Sequence, residues 1–293
     1  MSDAILAIDL GGTRYRAGRA SLANPAAVEP LGEYPAPDTR PVFLEMVRRH
    51  LAEIGASRLG IGVPGLAIGT TCRWVPNLPW LDGLDFAEAL PGTSVGLGND
   101  AQLALLAEAG AGAALGLTDV ILLAIGTGIG SAVMAGGRII AGAGGGACSF
   151  GWATADLADP GEDRSGWLER HASGRALDAA ALTIGLNTGT DLVAAAREGR
   201  PEALEALESP ATALGTALAS AVALLDPQAI ILAGGVAASL DVLERPILAA
   251  LRRQVPPHLR AIGIRAGTFG PRAGLVGAAF AGARGPAWRD HHG

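Results

Sequence analysis

The sequence contains no lysine, so all 22 permanently charged basic side chains are arginine. A P-loop holds phosphate with a lysine, and the absence of that residue excludes this device. The two cysteines, Cys72 and Cys148, are too few for a disulfide scaffold or a structural zinc site. No apolar run reaches the ~20 residues that cross a membrane. These absences favour a globular protein without a metal or disulfide framework.

Basic side chains are outnumbered by acidic ones, 22 to 28, which gives a formal net charge of −6. This balance argues against nonspecific binding of nucleic acid or of an anionic membrane. The first residues, Met-Ser-Asp, lack the basic and apolar form of a signal peptide, so a cytoplasmic protein is expected. A length of 293 residues with 49% hydrophobic composition suits one or two folded domains.

The most informative stretch is the run 5–8 (ILAI), which is followed by Asp9, Leu10 and the motif Gly11-Gly12-Thr13. Apolar residues that end at an acid and two glycines indicate a buried strand and a tight turn. The glycine amides and the threonine hydroxyl would cradle a phosphate. Asp9 would then need an intervening cation, and Mg²⁺, held directly or through water, is the expected one. The alternative is a hairpin turn with an acid at its start.

A second stretch repeats this pattern half a chain later. The apolar run 120–125 (VILLAI) ends in Gly126-Thr127-Gly128, and residues 131–134 indicate a returning strand. Two phosphate-type loops on similar units predict two similar domains that act on one nucleotide. Another apolar run, residues 229–233, indicates a strand that ends in the turn Gly234-Gly235; the family resemblance described below implies that this turn also admits the adenosine group.

Strands alternate with helical patterns along the chain, which predicts an α/β architecture. Helical spacing is found at 42–54, 101–109 and 242–254, two further helices are expected in 188–226, and 273–283 is a helix of small residues. Residues 284–293 are expected to fray. The resulting domain prediction is a small α/β domain over 1–108, completed by the helix near 273–290, and a larger one over 109–272.

Seven short motifs occur in one order and together resemble the ROK (repressor, open reading frame, kinase) family of sugar kinases. They are residues 9–13, 62–65, 77–80, 98–101, 126–130, 226–227 with 234–236, and 274–279. The resemblance covers nearly the whole chain. It implies two actin-like, ribonuclease H-like domains with a cleft between them. It also implies ATP as phosphoryl donor, a sugar or sugar-like polyol as acceptor, and a homodimer.

The resemblance also implies roles for particular residues. Asp100 would be the base that accepts the proton of the attacking hydroxyl, although it also suits the N-cap of a helix. Asn99, Asn77 and Glu169 would hydrogen-bond the sugar, and the alternative for Glu169 is a solvated helix position. His171 is expected on a helix surface or in packing.

Residues 142–152 (GAGGGACSFGW) depart from the family's pattern. Ser149 stands where the family has a sugar-contacting glutamate, and Trp152 stands at a zinc-binding histidine. Residues 161–167 contain no cysteine, so no zinc is expected and packing should hold this loop. Trp152 would either fill the core or line the pocket.

The favoured interpretation is an active kinase of a sugar or polyol with altered specificity. The alternative is a catalytically weak sugar-binding or regulatory protein on the same fold.

Overall fold

The structure is a computed structural model, and it describes residues 3–289. The strands are β1 (Ala4–Leu10), β2 (Arg14–Ser21), β3 (Glu29–Pro35), β4 (Arg58–Val63), β5 (Leu66–Ile68), β6 (Thr71–Trp74), β7 (Ser94–Asn99), β8 (Val120–Ile125), β9 (Ile129–Ala135), β10 (Arg138–Ile139), β11 (Ala229–Ala233) and β12 (Ile264–Ala266). The α-helices are α1 (Arg40–Glu53), α2 (Phe86–Ala89), α3 (Asp100–Ala111), α4 (Trp167–Ala172), α5 (Gly174–Thr183), α6 (Gly189–Arg197), α7 (Pro201–Leu225), α8 (Leu240–Gln254) and α9 (Ala273–Arg284). The predicted strand–glycine–strand units and the α/β class are confirmed.

The first compact unit, unit 1, contains residues 3–118, 136–147 and 271–289. Its sheet has the order β3-β2-β1-β4-β7, with β1 antiparallel to β2 and parallel to β4, which is in turn parallel to β7. Helix α9 packs against β1, β4, β7 and α3. The small side chains predicted for this helix let it approach the strands closely.

The second compact unit, unit 2, contains residues 119–135 and 148–270. Its strands lie in the order β9-β8-β11-β12, which repeats the order β2-β1-β4-β7 of unit 1. The directions repeat as well, because β8 is antiparallel to β9 and parallel to β11. The predicted similarity of two supersecondary units is therefore confirmed, whereas the predicted domain limits stay a prediction.

Helix α7 is long and apolar enough to cross a membrane by length and composition. More than half of its apolar window is buried inside the structure, however, and it packs against α4, α5, α6 and α8. Its buried residues, among them Leu207, Leu214 and Leu218, belong to the core of unit 2. Such burial is what the core helix of a globular domain shows.

The prediction that residues 284–293 fray is wrong for the part that the structure describes, which ends at residue 289. Trp288 is fully buried, and its Nε1–H donates a hydrogen bond to the carbonyl of Leu97 at 2.9 Å. The backbone of Arg289 accepts a hydrogen bond from the Ile139 N–H at 3.0 Å. These partners lie far away in sequence, so the tail is anchored to β7, the strand that leads to Asp100.

Candidate active site

The register of unit 1 brings Asp9 and Asp100 to one edge of its sheet. Asp9 lies opposite Gly62 on β4, and Gly62 lies opposite Gly98 on β7. All three strands run in the same direction, so their carboxyl ends meet at this edge. Ligands of open α/β sheets bind at such an edge, which makes it the candidate site of unit 1.

Asp9 is half-buried and paired with a cation. Nη1 of Arg16 lies 3.3 Å from Asp9 Oδ2, and Nε of Arg16 also reaches Glu33 at 3.0 Å. Burial raises the pKa of Asp9, and the charge of Arg16 works in the opposite direction. A β-carbon at Gly274, near the start of α9, would lie 3.0 Å from Asp9 Oδ1. The oxygen chemistry of Asp9 fits a magnesium ion, with Arg16 compensating part of the carboxylate charge.

Asp100 is the first residue of α3, and Asn99 is its N-cap. Asn99 Oδ1 accepts the Ala101 N–H at 3.0 Å, and Asn99 Nδ2 donates to the Gly65 carbonyl at 3.2 Å. Asp100 Oδ1 also accepts the Ala101 N–H, at 2.8 Å, so Asn99 is the N-cap and Asp100 shares the capping hydrogen bond. Although Asp100 remains accessible, desolvation by surrounding protein atoms raises its pKa to about 6, and the negative charge of Asp9 adds to this shift. A carboxyl group with this pKa accepts protons at neutral pH more readily than an ordinary aspartate.

The first glycine loop lies next to Asn77. Gly11 donates its N–H to the Arg14 carbonyl at 2.8 Å, which closes the turn between β1 and β2. A β-carbon at Gly12 would lie 3.1 Å from the Asn77 Cβ, and both Gly12 and Thr13 are exposed. The predicted phosphate loop and one predicted sugar-binding residue are thus neighbours in unit 1.

The second glycine loop and the Gly234-Gly235 turn meet at the equivalent edge of unit 2. The register places Ala124, near the end of β8, opposite Ala233, the last residue of β11. Gly234 has a φ of +78°, and a β-carbon there would lie 2.5 Å from the Ile125 carbonyl oxygen. Only glycine suits this position, because it combines a left-handed backbone with a close approach of two loops.

A cavity of about 350 Å³ opens beside these two loops within unit 2. The residues that line it include Gly126, Thr127, Arg175, Asp178, Gly235 and Val236. Its volume falls within the range of small-molecule sites. The predicted loop residues therefore border a cavity, and Arg175 and Asp178 are members that the sequence analysis did not single out.

Glu169 is tied to the second glycine loop. Its Oε2 accepts the Ile129 N–H at 3.1 Å, and its Oε1 lies 2.8 Å from Nη2 of Arg175. A β-carbon at Gly128 would lie 2.6 Å from Oε2, so the carboxylate packs directly on the loop. Glu169 is thus not the solvated helix residue of the alternative interpretation. Its contact with sugar stays a prediction.

Ser149 precedes a short 3₁₀ turn in unit 2, Phe150–Trp152, and Trp152 is its last residue. Ser131 holds this turn, because its hydroxyl donates to the Cys148 carbonyl and accepts the Phe150 N–H at 3.0 Å. Trp152 is 52% exposed, so it does not fill the core. His171 stacks on Trp167 with ring centroids 4.5 Å apart, which agrees with its predicted place in surface packing.

Ion pairs of Arg170 link α4 to residues 159–165, a segment that overlaps the one where the resemblance led us to look for the cysteines of a zinc cluster. Arg170 contacts Asp159 at 2.5 Å and Glu162 at 3.4 Å, and it donates to the Ser165 carbonyl at 2.9 Å. The expectation that packing holds the loop at residues 142–152 concerns a different segment and stays a prediction. Within residues 3–289, no group of three or more His, Cys, Asp or Glu side chains is placed to hold a metal ion. The side chains here do not fit a zinc site.

Two α/β units that repeat one strand order and end parallel strands in glycine loops define an actin-like ATPase fold. The chain belongs to the ROK family, whose family model matches residues 5–283. A glucokinase from Streptomyces coelicolor is 28% identical over 94% of this chain and 96% of that protein. An N-acetylmannosamine kinase from Salmonella paratyphi B is 28% identical, with 94% and 97% covered. The crystal structure of a ROK family glucokinase from Streptomyces griseus in complex with glucose and AMPPNP has a TM-score of 0.75 and 28% identity, with 96% and 100% covered.

Proposed function

We propose that this ROK family member is an ATP-dependent carbohydrate kinase that transfers phosphate to a hydroxyl of a sugar or sugar-like polyol. The observation that carries the proposal is the Asp100 carboxylate, which opens α3 at the carboxyl edge of the unit 1 sheet with a pKa of about 6. The related kinases from Streptomyces and Salmonella support the same class of reaction.

Asp100 acts as the general base in this proposal. Its carboxylate accepts the proton of the acceptor hydroxyl as the hydroxyl oxygen attacks the γ-phosphorus of ATP. The bond between the γ-phosphorus and the β,γ-bridging oxygen breaks, and ADP leaves with that oxygen. Asn99 positions the base, because its side chain caps α3 and holds the Gly65 carbonyl. Asn99, Asn77 and Glu169 are the proposed sugar-binding residues.

The nucleotide is proposed to bind the glycine loops. Gly126, Thr127 and Gly128 would meet the phosphates, and Gly234-Gly235 would admit the adenosine group into the adjoining cavity. In unit 1, Gly11, Gly12 and Thr13 offer a second set of phosphate-binding groups. Asp9 would hold Mg²⁺ directly or through water, and the ion would neutralise phosphate charge.

The acceptor is proposed to differ from unmodified glucose. Ser149 is shorter than glutamate and uncharged, and Trp152 offers an apolar ring with one N–H donor. If glucose lost a partner at each of these two positions, two unpaired polar groups would cost roughly 2–6 kcal/mol. An amino sugar, a deoxy sugar or a cyclitol with a less polar edge would avoid that loss.

The experiment is a comparison of kcat/KM for glucose, mannose, fructose, N-acetylated hexosamines, kanosamine and inositol-type cyclitols, with ADP release as the readout. Asp100→Asn serves as the catalytic control and should lower turnover by roughly 10²–10⁴-fold, the usual contribution of a general base. Glucose at the top of the series would overturn the proposed specificity. No sugar-dependent ADP release with any acceptor would overturn the proposed activity.

Two further expectations accompany the kinase proposal. A homodimer in the cytoplasm stays a prediction of the family resemblance and of the sequence. Light scattering after size-exclusion chromatography would measure the mass in solution, and cell fractionation would measure the location.

A further inference from the structure

We infer that Arg175 is the side chain of unit 2 that binds the phosphates of the nucleotide. This inference rests on the proposed function, since it names the residue that recognises the charged part of the proposed substrate. It is carried by the position of Arg175 at the cavity, by the contacts that fix its guanidinium, and by the polar groups left unpaired beside it.

The second glycine loop and the Arg175 side chain are joined directly. Nε of Arg175 donates to the Thr127 carbonyl at 3.1 Å, and Nη2 donates to Glu169 Oε1 at 2.8 Å. These two bonds fix the plane of the guanidinium against the loop that borders the cavity. A fixed guanidinium binds a phosphate at a smaller loss of side-chain entropy than a mobile one.

The guanidinium keeps further donors for a ligand. Arginine has five N–H donors, and within residues 3–289 the Nη1 group of Arg175 has no hydrogen-bond partner. The side chain is 61% exposed, and the residue lines the cavity together with Gly126 and Thr127. Nη1 is therefore available at the place where the glycine amides favour an anion.

The first turn of α5 adds unpaired donors at the same place. The N–H groups of Arg175 and Ala176 precede the first intrahelical bond, which the Leu177 N–H makes to Ser173 at 3.0 Å. Ser173 is the N-cap but makes no capping bond, and its fully buried hydroxyl has no partner within the described residues. Uncapped N–H groups at a helix start attract an anion, and here they adjoin an arginine and a glycine loop.

The other charged side chains that line the cavity, Arg197 and Asp178, are bonded within the protein. Arg197 bonds Asp241 through Nε at 2.6 Å and through Nη2 at 2.9 Å. Asp178 accepts the Gly189 N–H at 2.7 Å. Because the sequence has no lysine, an arginine must supply the cationic side-chain contact of the cavity. Both carboxylate oxygens of Asp241 bond Arg197, whereas Arg175 meets one oxygen of Glu169 and also contacts the second glycine loop, so Arg175 is the better placed of the two lining arginines.

The test is isothermal titration calorimetry of adenosine, ADP and ATP without sugar, on the wild type, Arg175→Met, Arg175→Lys and Arg253→Met. Arg253 is exposed in the last turn of α8 and does not line the cavity, so its variant is the matched loss of one charge. Circular dichroism and thermal unfolding check the fold of each variant.

Arg175→Met should weaken ATP and ADP binding by about ten- to a hundredfold and leave adenosine binding within about twofold, since a charge-assisted bond to phosphate is removed. The ATP and ADP affinities of Arg175→Lys should lie between those of the wild type and Arg175→Met, because lysine keeps the positive charge but lacks the paired N–H donors of a guanidinium. The inference would be overturned if Arg175→Met bound ATP as tightly as Arg253→Met does. It would also be overturned if Arg175→Met weakened adenosine and ATP binding equally. A wild type that binds no ATP would overturn the proposed function together with it, whereas ATP binding unchanged by Arg175→Met would overturn the inference alone.

Discussion

The raised pKa of Asp100 predicts a specific pH dependence of phosphoryl transfer. Only the ionised carboxylate can accept the hydroxyl proton, and desolvation raises its pKa to about 6. With that value, about 99% of Asp100 is ionised at pH 8 and about 9% at pH 5. We therefore expect kcat/KM for the best sugar to be level above pH 7 and to fall by about tenfold between pH 8 and pH 5.

The assay follows initial rates of ADP release at limiting sugar from pH 4.5 to 9, with the coupling system verified at each pH. Asp100→Asn should show a much lower rate of ADP release, and its pH–rate profile should have no inflection near pH 6. Asp38→Asn, which changes an exposed loop carboxylate, should keep both. A wild-type midpoint near pH 4, or an inflection that persists in Asp100→Asn, would refute the assignment of the base.

The same pKa shift predicts an effect on stability. A carboxyl group whose pKa is raised by folding opposes folding once it ionises, so this unfavourable contribution is fully present above pH 6 and vanishes below about pH 4. Asp100→Asn should therefore raise the melting temperature at pH 8, and this gain should shrink as the pH falls. A variant that is inactive and also less stable than the wild type at pH 8 would point to a folding defect instead.

Other predictions concern the tail, a buried histidine, the metal and the Arg170 ion pairs. Trp288→Phe should lower the free energy of unfolding by about 1–3 kcal/mol, because it removes the bond to Leu97, and Trp288→Ala by about 3–5 kcal/mol, both measured in urea. Burial lowers the pKa of His50, which is bonded to Tyr15, so stability should fall as the pH drops below about 6.5, and a His50→Leu/Tyr15→Phe variant should lose that part of the dependence. EDTA should abolish activity, Mg²⁺ should restore it, and Zn²⁺ alone should not. Arg170→Met should speed proteolysis within residues 154–165, because it removes the ion pairs with Asp159 and Glu162. Arg164→Met should not speed it.

The parts of the fold that the sequence predicted are those with local signals. The runs that end at Asp9 and at Ile125 combine strand-like apolar residues with glycine turns, and both proved to be strands followed by tight loops. Helix α1 was predicted over 42–54 and spans Arg40–Glu53, because apolar residues recur with helical spacing. Such signals need no knowledge of distant partners.

The parts that sequence reasoning missed depend on partners far away along the chain. Trp288 follows a Gly-Pro pair, which is typical of a chain segment without regular structure. Its hydrogen-bond partner, Leu97, lies 191 residues earlier and cannot be recognised from the local sequence. Arg175 carries no motif of its own, and it gains meaning only from its contacts with Thr127 and Glu169. A charged residue that acts through contacts with distant residues follows no repeating sequence pattern, so its role cannot be predicted from its neighbours in the chain.

The interrupted path of the chain through unit 1 has a consequence for synthesis. Strands β1, β4 and β7 lie within the first 99 residues, but α9, which covers them, and Trp288, which anchors β7, come only after residue 272. At 5–20 residues per second, the interval between residues 118 and 289 takes roughly 10 to 30 s, during which this sheet lacks its helix. Unit 2 is complete by residue 270 and can fold within that interval. A chain whose synthesis stops between residues 270 and 273 would therefore have one complete unit and one apolar sheet exposed to chaperones and proteases.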